Sequence, residues 1–134
     1  MAFGAGWHVR SHAPVALDDD SEPEPDAAVV PGVPRDYLGG HPSRPVLVVE
    51  VADSSLRLDR RLKSRLYARA GLQEYWIVNI VEHVLEVYRE PAREADERDG
   101  WGYRSVDVLR PPAMVTPPAA AHARIDVADL LPLP

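Results

Sequence analysis

The stretch that most restricts the fold runs from Pro45 to Gly71, PVLVVEVADSSLRLDRRLKSRLYARAG. It opens with an apolar run, Val46 to Val49, and then places one carboxylate, Glu50, inside it. An acid in a buried strand is costly unless something pairs with it. Ser54 or Ser55 can cap a helix that follows. Leu58, Leu62, Leu66 and Ala70 recur every four residues and predict one apolar stripe facing the core. Asp59, Lys63 and Tyr67 form a second stripe beside it. Gly71 is placed to end the helix. The segment therefore predicts a strand, a turn and one principal helix over 57–70.

The flanks fill in a sheet. Trp7, Val9, Ser11, Ala13, Val15 and Leu17 alternate with polar positions, the pattern of a half-buried strand. Residues 18–25, DDDSEPEP, are an acidic loop broken by proline. Asp26 then leads a short strand, Ala27 to Val30. Residues 31–45 are rich in proline and glycine and predict a loop. Val46 to Val51 is apolar nearly throughout, as expected of a central strand covered on both faces. Tyr75 to Val78 is another buried strand. Val84 to Tyr88 pairs with it as a hairpin across Asn79 to His83. Residues 89–100 are charged and predict a loop. Tyr103 to Leu109 is the last clear strand, and Ile125 to Leu131 can dock as an edge strand or turn. The pattern is a mixed, mostly antiparallel sheet with one principal helix, in the α/β or α+β class.

Bulk properties narrow the function. The 134 residues suit a single domain, 1–134, with apolar material for one core. There is no cysteine, so disulfides and thiolate metal sites are excluded. No apolar run approaches a membrane span, and the N-terminus lacks the apolar core of a signal peptide. A cytoplasmic protein is the default expectation. The net charge of −6 argues against a general nucleic-acid coat. The distribution matters more than the sum. Between Arg57 and Arg69 six cationic side chains face one acid, Asp59, a local charge of +5. Lys63 is the only lysine among 15 Lys and Arg residues, and an ammonium is not interchangeable with a guanidinium.

Asp26 starts one strand, Glu50 lies near the end of the next, and Lys63 sits two turns into the following helix. A strand–loop–helix connection can bring that helix back over the sheet and make the three converge. Two carboxylates completed by water and phosphate oxygens are the ligand set that Mg²⁺ prefers. A lysine beside them can orient a water or a phosphate, or help to relay a proton. That combination suits phosphodiester hydrolysis. Each residue also has a plainer reading. Glu50 can pair with an arginine at a strand edge, Asp26 can serve a turn, and Lys63 can pair with Asp59 one turn away. Tyr67 and Trp76 read as core. The five histidines show no metal-ligand spacing.

In order along the chain, Glu24-Pro25-Asp26, Leu47-Val48-Val49-Glu50-Val51, Asp59…Lys63…Tyr67-Ala68-Arg69-Ala70-Gly71 and Glu74-Tyr75-Trp76-Ile77-Val78 resemble the Uma-two family, described as restriction endonucleases of the PD-(D/E)XK nuclease superfamily. The resemblance runs from about Val9 to the last strand. It implies a restriction-endonuclease-like core, a Mg²⁺- or Mn²⁺-dependent nuclease site, DNA as partner and a homodimer. It carries Asp26 and Glu50 over as metal-binding acids and Lys63 as the catalytic lysine. Asp59 and Tyr67 match positions usually populated in the family and are possible accessory residues. Arg57, Arg60 and Arg61 on the basic helix are the residues expected to meet the DNA backbone. Two departures accompany the match. The superfamily lysine stands two residues after the glutamate, where this chain has Ala52, so Lys63 must reach in from the helix. Relatives also begin with a helix and a strand ahead of the segment matching Trp7, which implies an N-terminally short core. The rival readings are a non-catalytic nuclease-fold module that binds DNA or a protein partner, and a fragment that completes its sheet in a dimer.

Overall fold

The computed structural model describes residues 7–11, 26–31, 45–53, 59–93, 100–117 and 124–131. Six strands form one sheet in chain order: β1 (Trp7–Ser11), β2 (Ala27–Pro31), β3 (Leu47–Ala52), β4 (Glu74–Asn79), β5 (Val84–Arg93) and β6 (Trp101–Leu109). Every neighbouring pair is antiparallel except β3 and β4, which run parallel. A parallel pair needs a crossover connection, and the basic segment supplies it. A π-helical turn (Asp59–Lys63) leads directly into α1 (Ser64–Arg69). Gly71, with φ of 81°, ends the helix as expected. The Gly71 N–H donates to Ala68 and the Leu72 N–H to Tyr67, closing a Schellman turn. A small ribbon, β7 (Met114–Val115) with β8 (Ile125–Asp126), precedes a short helix, α2 (Val127–Leu130). Asp126 caps α2 by accepting from the Ala128 N–H at 3.1 Å.

The sheet lies between two apolar layers. On one side Leu47, Trp76, Val78, Leu85 and Val87 pack against Val115, Val127 and Leu131. On the other, Ala28, Val48, Ala52, Tyr75 and Ile77 pack against Tyr67 and Ala68 of α1. Both faces of β4 are covered, and all six of its residues are buried. That is why its apolar residues do not alternate. Tyr67, Tyr75, Tyr88 and Tyr103 interlock beneath the helix, with centroid separations of 5.0 Å for Tyr67–Tyr75 and 5.6 Å for Tyr75–Tyr88. Such ring pairs add about 0.5–1.5 kcal/mol each beyond the area they bury. The Tyr103 hydroxyl donates to the Leu72 carbonyl at 2.8 Å and ties β6 to the end of the helix.

Several expectations are corrected. Of the expected stripe Leu58–Leu62–Leu66–Ala70, Leu62 and Ala70 do not face the core. Leu62 is 57% exposed and Ala70 is exposed, while Ser64, Tyr67 and Ala68 are buried. The buried positions Ser64, Tyr67 and Ala68 keep ordinary i, i+3, i+4 spacing one position round from the leucines, so the helix docks through its tyrosine and small residues instead. Residues 89–93, expected in a loop, continue β5 to Arg93, because Arg89, Pro91, Ala92 and Arg93 find partners on β6, the last opposite Trp101. The segment 125–131 docks as expected, as a two-residue strand followed by a helical turn. The expected strand beyond Ser11, the acidic loop, and the segments 32–44 and 54–58, with Arg57, lie outside the described residues.

Candidate active site

The site is set by strand parity. Glu50 shares a face with Val48 and Ala52, the face on which the helix packs. It is 3% exposed although ionisable. Its partner comes from above: Lys63, at the end of the π-helical turn, places Nζ 2.6 Å from Glu50 Oε2. Glu50 Oε1 is buried in the same place. Lys63 itself remains 30% exposed, so its ammonium sits between the buried carboxylate and solvent. Asp26 arrives from the neighbouring strand. Ala27 pairs with Val49 and Ala28 with Val48, so Asp26, the residue just ahead of β2, lies next to the Glu50–Val51 stretch of β3. The Asp26 carboxylate accepts from the Val51 N–H at 2.6 Å, which fixes it at the open end of β3. The structure thus brings together the three residues that the sequence singled out.

The other expected residues separate. Tyr67 is wholly buried in the tyrosine cluster, as a core residue. Asp59 opens the π-helical turn. Arg61 is exposed on the outer surface of that turn. Arg60, its side chain 41% exposed, reaches down to the sheet, and its guanidinium grips Glu86 with both fork positions, Nε to Oε1 at 3.0 Å and Nη2 to Oε2 at 2.7 Å.

Glu86 is the residue that the sequence reading passed over. It is 2% exposed, in the middle of β5 on the helix face. Besides Arg60 it accepts from Asn79 Nδ2 at 2.9 Å and from the Tyr88 hydroxyl at 2.6 Å. Burial pushes its pKa up, but the hydrogen bonds from Arg60, Tyr88 and Asn79 outweigh that, and the net position is below the ordinary carboxylate value. The hydrogen bond to Glu86 raises the Arg60 pKa, and burial with the same carboxylate raises that of Tyr88. A signal was available. Val84-Leu85-Glu86-Val87-Tyr88 interrupts an apolar strand with an acid just as Val48-Val49-Glu50-Val51 does.

A third buried acid, Glu74, lies on the opposite face. It accepts from Trp76 Nε1 and from Arg89 Nε, each at 2.8 Å, and Arg89 also donates to the Thr116 carbonyl. Burial raises its pKa, with the bonds from Trp76 and Arg89 opposing. It ties the sheet to the segment after β7 and takes no part in the site. Among the described residues no group of three or more His, Cys, Asp or Glu side chains is placed to hold a metal by itself.

A six-stranded mixed sheet with a crossover helix over an acid pair and a lysine defines a restriction-endonuclease-like α+β domain. The chain belongs to the Uma2 family, described as "Putative restriction endonuclease", whose model matches residues 3–128. Its fold is similar to that of a "putative nuclease belonging to DUF820" from Anabaena variabilis, with a TM-score of 0.62 and 20% identity over 93% of this chain and 68% of that one. Among curated proteins none matches this chain significantly. No helix among the described residues is long and apolar enough to cross a membrane.

Proposed function

We propose that this chain is a Mg²⁺-dependent DNA endonuclease that hydrolyses phosphodiester bonds, with Asp26, Glu50 and Lys63 as its catalytic set. The observation that carries the reading is the 2.6 Å contact between Lys63 Nζ and Glu50, made beside Asp26 on the adjoining strand. It is the carboxylate–carboxylate–lysine grouping of PD-(D/E)XK nucleases, with the lysine delivered from the helix. Ala52, two residues after Glu50, is buried on the same face and leaves the charged position to Lys63.

The donor chemistry fits the metal. Asp26 and Glu50 offer hard oxygen ligands on rigid strands, and Mg²⁺ is ordinarily held by one or two carboxylates with water and phosphate oxygens completing its shell. When bound, the cation supplies charge neutralisation at the phosphate and a more acidic water. Asp26 and Glu50 would hold it. Lys63 keeps its proton on Nζ at the solvent side of Glu50, where it can donate to a phosphate oxygen or to the attacking water. Val48, Ala52 and Ile77, buried beside Glu50 on the same face, keep water from its flanks. Arg61, exposed beside the site, and Arg57 are the proposed phosphate-backbone contacts. The family resemblance extends the proposal to a cytoplasmic homodimer, which sedimentation would test.

Nicking of supercoiled plasmid in the presence of Mg²⁺ or Mn²⁺ tests the function. Chelation should abolish it, and Glu50→Ala or Lys63→Ala should lower it by at least about 10²-fold. Robust cleavage by the Glu50→Ala protein would refute the assignment. Calorimetric titration with Mn²⁺ gives an independent readout, because binding should be lost in Asp26→Ala and Glu50→Ala.

A further inference from the structure

We infer that Arg60 and Glu86 form a positioning latch that holds the helix bearing Lys63 over the acid pair, independently of the Lys63–Glu50 contact. The inference deepens the proposed nuclease reading, and its consequence for cleavage rests on that reading.

The two carboxylates lie in one row across the sheet. Glu50 is opposite Ile77 on β4, and Ile77 is opposite Glu86 on β5. Two strand spacings, roughly 9.5 Å, separate them on the helix face. The two cations above them sit three residues apart in a single π-helical turn. One helical segment therefore docks on one row of the sheet at two points, Arg60 on Glu86 and Lys63 on Glu50. The Ser64 hydroxyl donates to the Arg60 carbonyl and braces the backbone that joins them.

The two points are built differently. Glu86 accepts four hydrogen bonds at or below 3.0 Å, two of them from Arg60, one from Asn79 and one from Tyr88. Its oxygens are committed to the protein, and no exchange with a ligand is needed of it. A guanidinium fork suits this receptor, whereas an ammonium would fill one of its two positions. The Lys63–Glu50 contact has the opposite character. It joins an ammonium to one carboxylate oxygen, and the carboxylate it uses is the one that a divalent cation would claim. A helix held only there would lose its anchor whenever the metal loads. The Arg60–Glu86 pair lies two strands away from that competition, so Lys63 stays in reach after its own ion pair has been given up.

Lys63 is the only lysine in the chain, so acylation of its ε-amine can be read by peptide mass spectrometry against a single background, the α-amine. The comparison is wild type against Arg60→Gln and Glu86→Gln, in protein whose near-ultraviolet circular dichroism is unchanged. Tyr88→Phe, which trims one bond, serves should both of those fail to fold. The latch predicts several-fold faster labelling of Lys63 in each variant, Mn²⁺ affinity close to wild type because Asp26 and Glu50 stand on strands, and single-turnover cleavage lowered by up to about 10²-fold with little change in DNA affinity. Arg60→Lys should recover part of the loss. Wild-type labelling in folded variants overturns the inference, as does Mn²⁺ affinity falling in parallel with the rate, which would mark Glu86 as support for the sheet alone. The labelling arm needs neither metal nor DNA. A wild-type protein that never cleaves would therefore remove the nuclease reading and leave the latch standing.

Discussion

Replacing Lys63 with methionine should destabilise the fold more than neutralising its partner does. Methionine keeps the length of the side chain and removes the charge. Glu50, 3% exposed, would then be left as a buried carboxylate without its ammonium. Breaking a fully buried ion pair from one side costs about 3–5 kcal/mol. Lys63 is 30% exposed, so water can reach the vacated place, and the expected loss falls to about 2–3 kcal/mol. Glu50→Gln removes the buried charge instead and leaves a lysine that can turn to solvent, for a loss of about 1 kcal/mol or less. In Glu50→Gln/Lys63→Met neither charge remains, and the double variant should be more stable than Lys63→Met alone, with a coupling energy of about 1–2 kcal/mol. Urea unfolding followed by tryptophan fluorescence measures all four proteins, provided that the m-values agree. A Lys63→Met protein within about 0.5 kcal/mol of wild type, or losses that simply add, would refute the reasoning.

Two further outcomes follow from the described contacts. Glu86, whose pKa is lowered in the fold, contributes stability that is complete above the ordinary carboxylate value of 4.5 and is lost as pH falls through its folded pKa. Acid unfolding of wild type should therefore steepen below about pH 4.5, and Glu86→Gln, less stable at neutral pH, should lose less between pH 5 and pH 3 in a urea series. On the helix, Leu62→Lys should change the thermal midpoint very little, because Leu62 is 57% exposed, whereas Ala68→Leu should cost about 1–3 kcal/mol by overpacking the tyrosine layer.

The candidate site was more legible in the sequence than the way its helix is held. Glu50 announced itself because a carboxylate in an apolar strand requires a partner, and Lys63 because it stands alone among arginines. Asp26 depended on pairing register, which the apolar patterns of β2 and β3 determine together. Leucine spacing does not mark the docked face of the helix, because Ser64, Tyr67 and Ala68 carry the same helical spacing one position round and are the residues buried. Nothing in the basic run separates Arg60 from Arg61 unless the buried acid that Arg60 reaches is known. That acid, 26 residues later, carried the same mark as Glu50 and was absorbed into a hairpin strand. Coverage of both faces was legible in the apolar run of β3, but the residues of the second layer were less so, since β7, β8 and α2 are too short to show a period.

The parity of the sheet has a consequence for how such a chain can change over generations. Glu50 and Glu86 occupy alternate positions facing the helix, while Glu74 and Leu47 face the other layer. Losing a single codon within β3 ahead of Glu50 would turn its carboxylate into the layer of Trp76 and Val115, and send an apolar neighbour to meet Lys63. Losing two would keep the face and shift the rung. Indels within the strands are therefore felt in steps of two, and the chemistry of this fold tolerates drift in the composition of β3 far better than drift in its length.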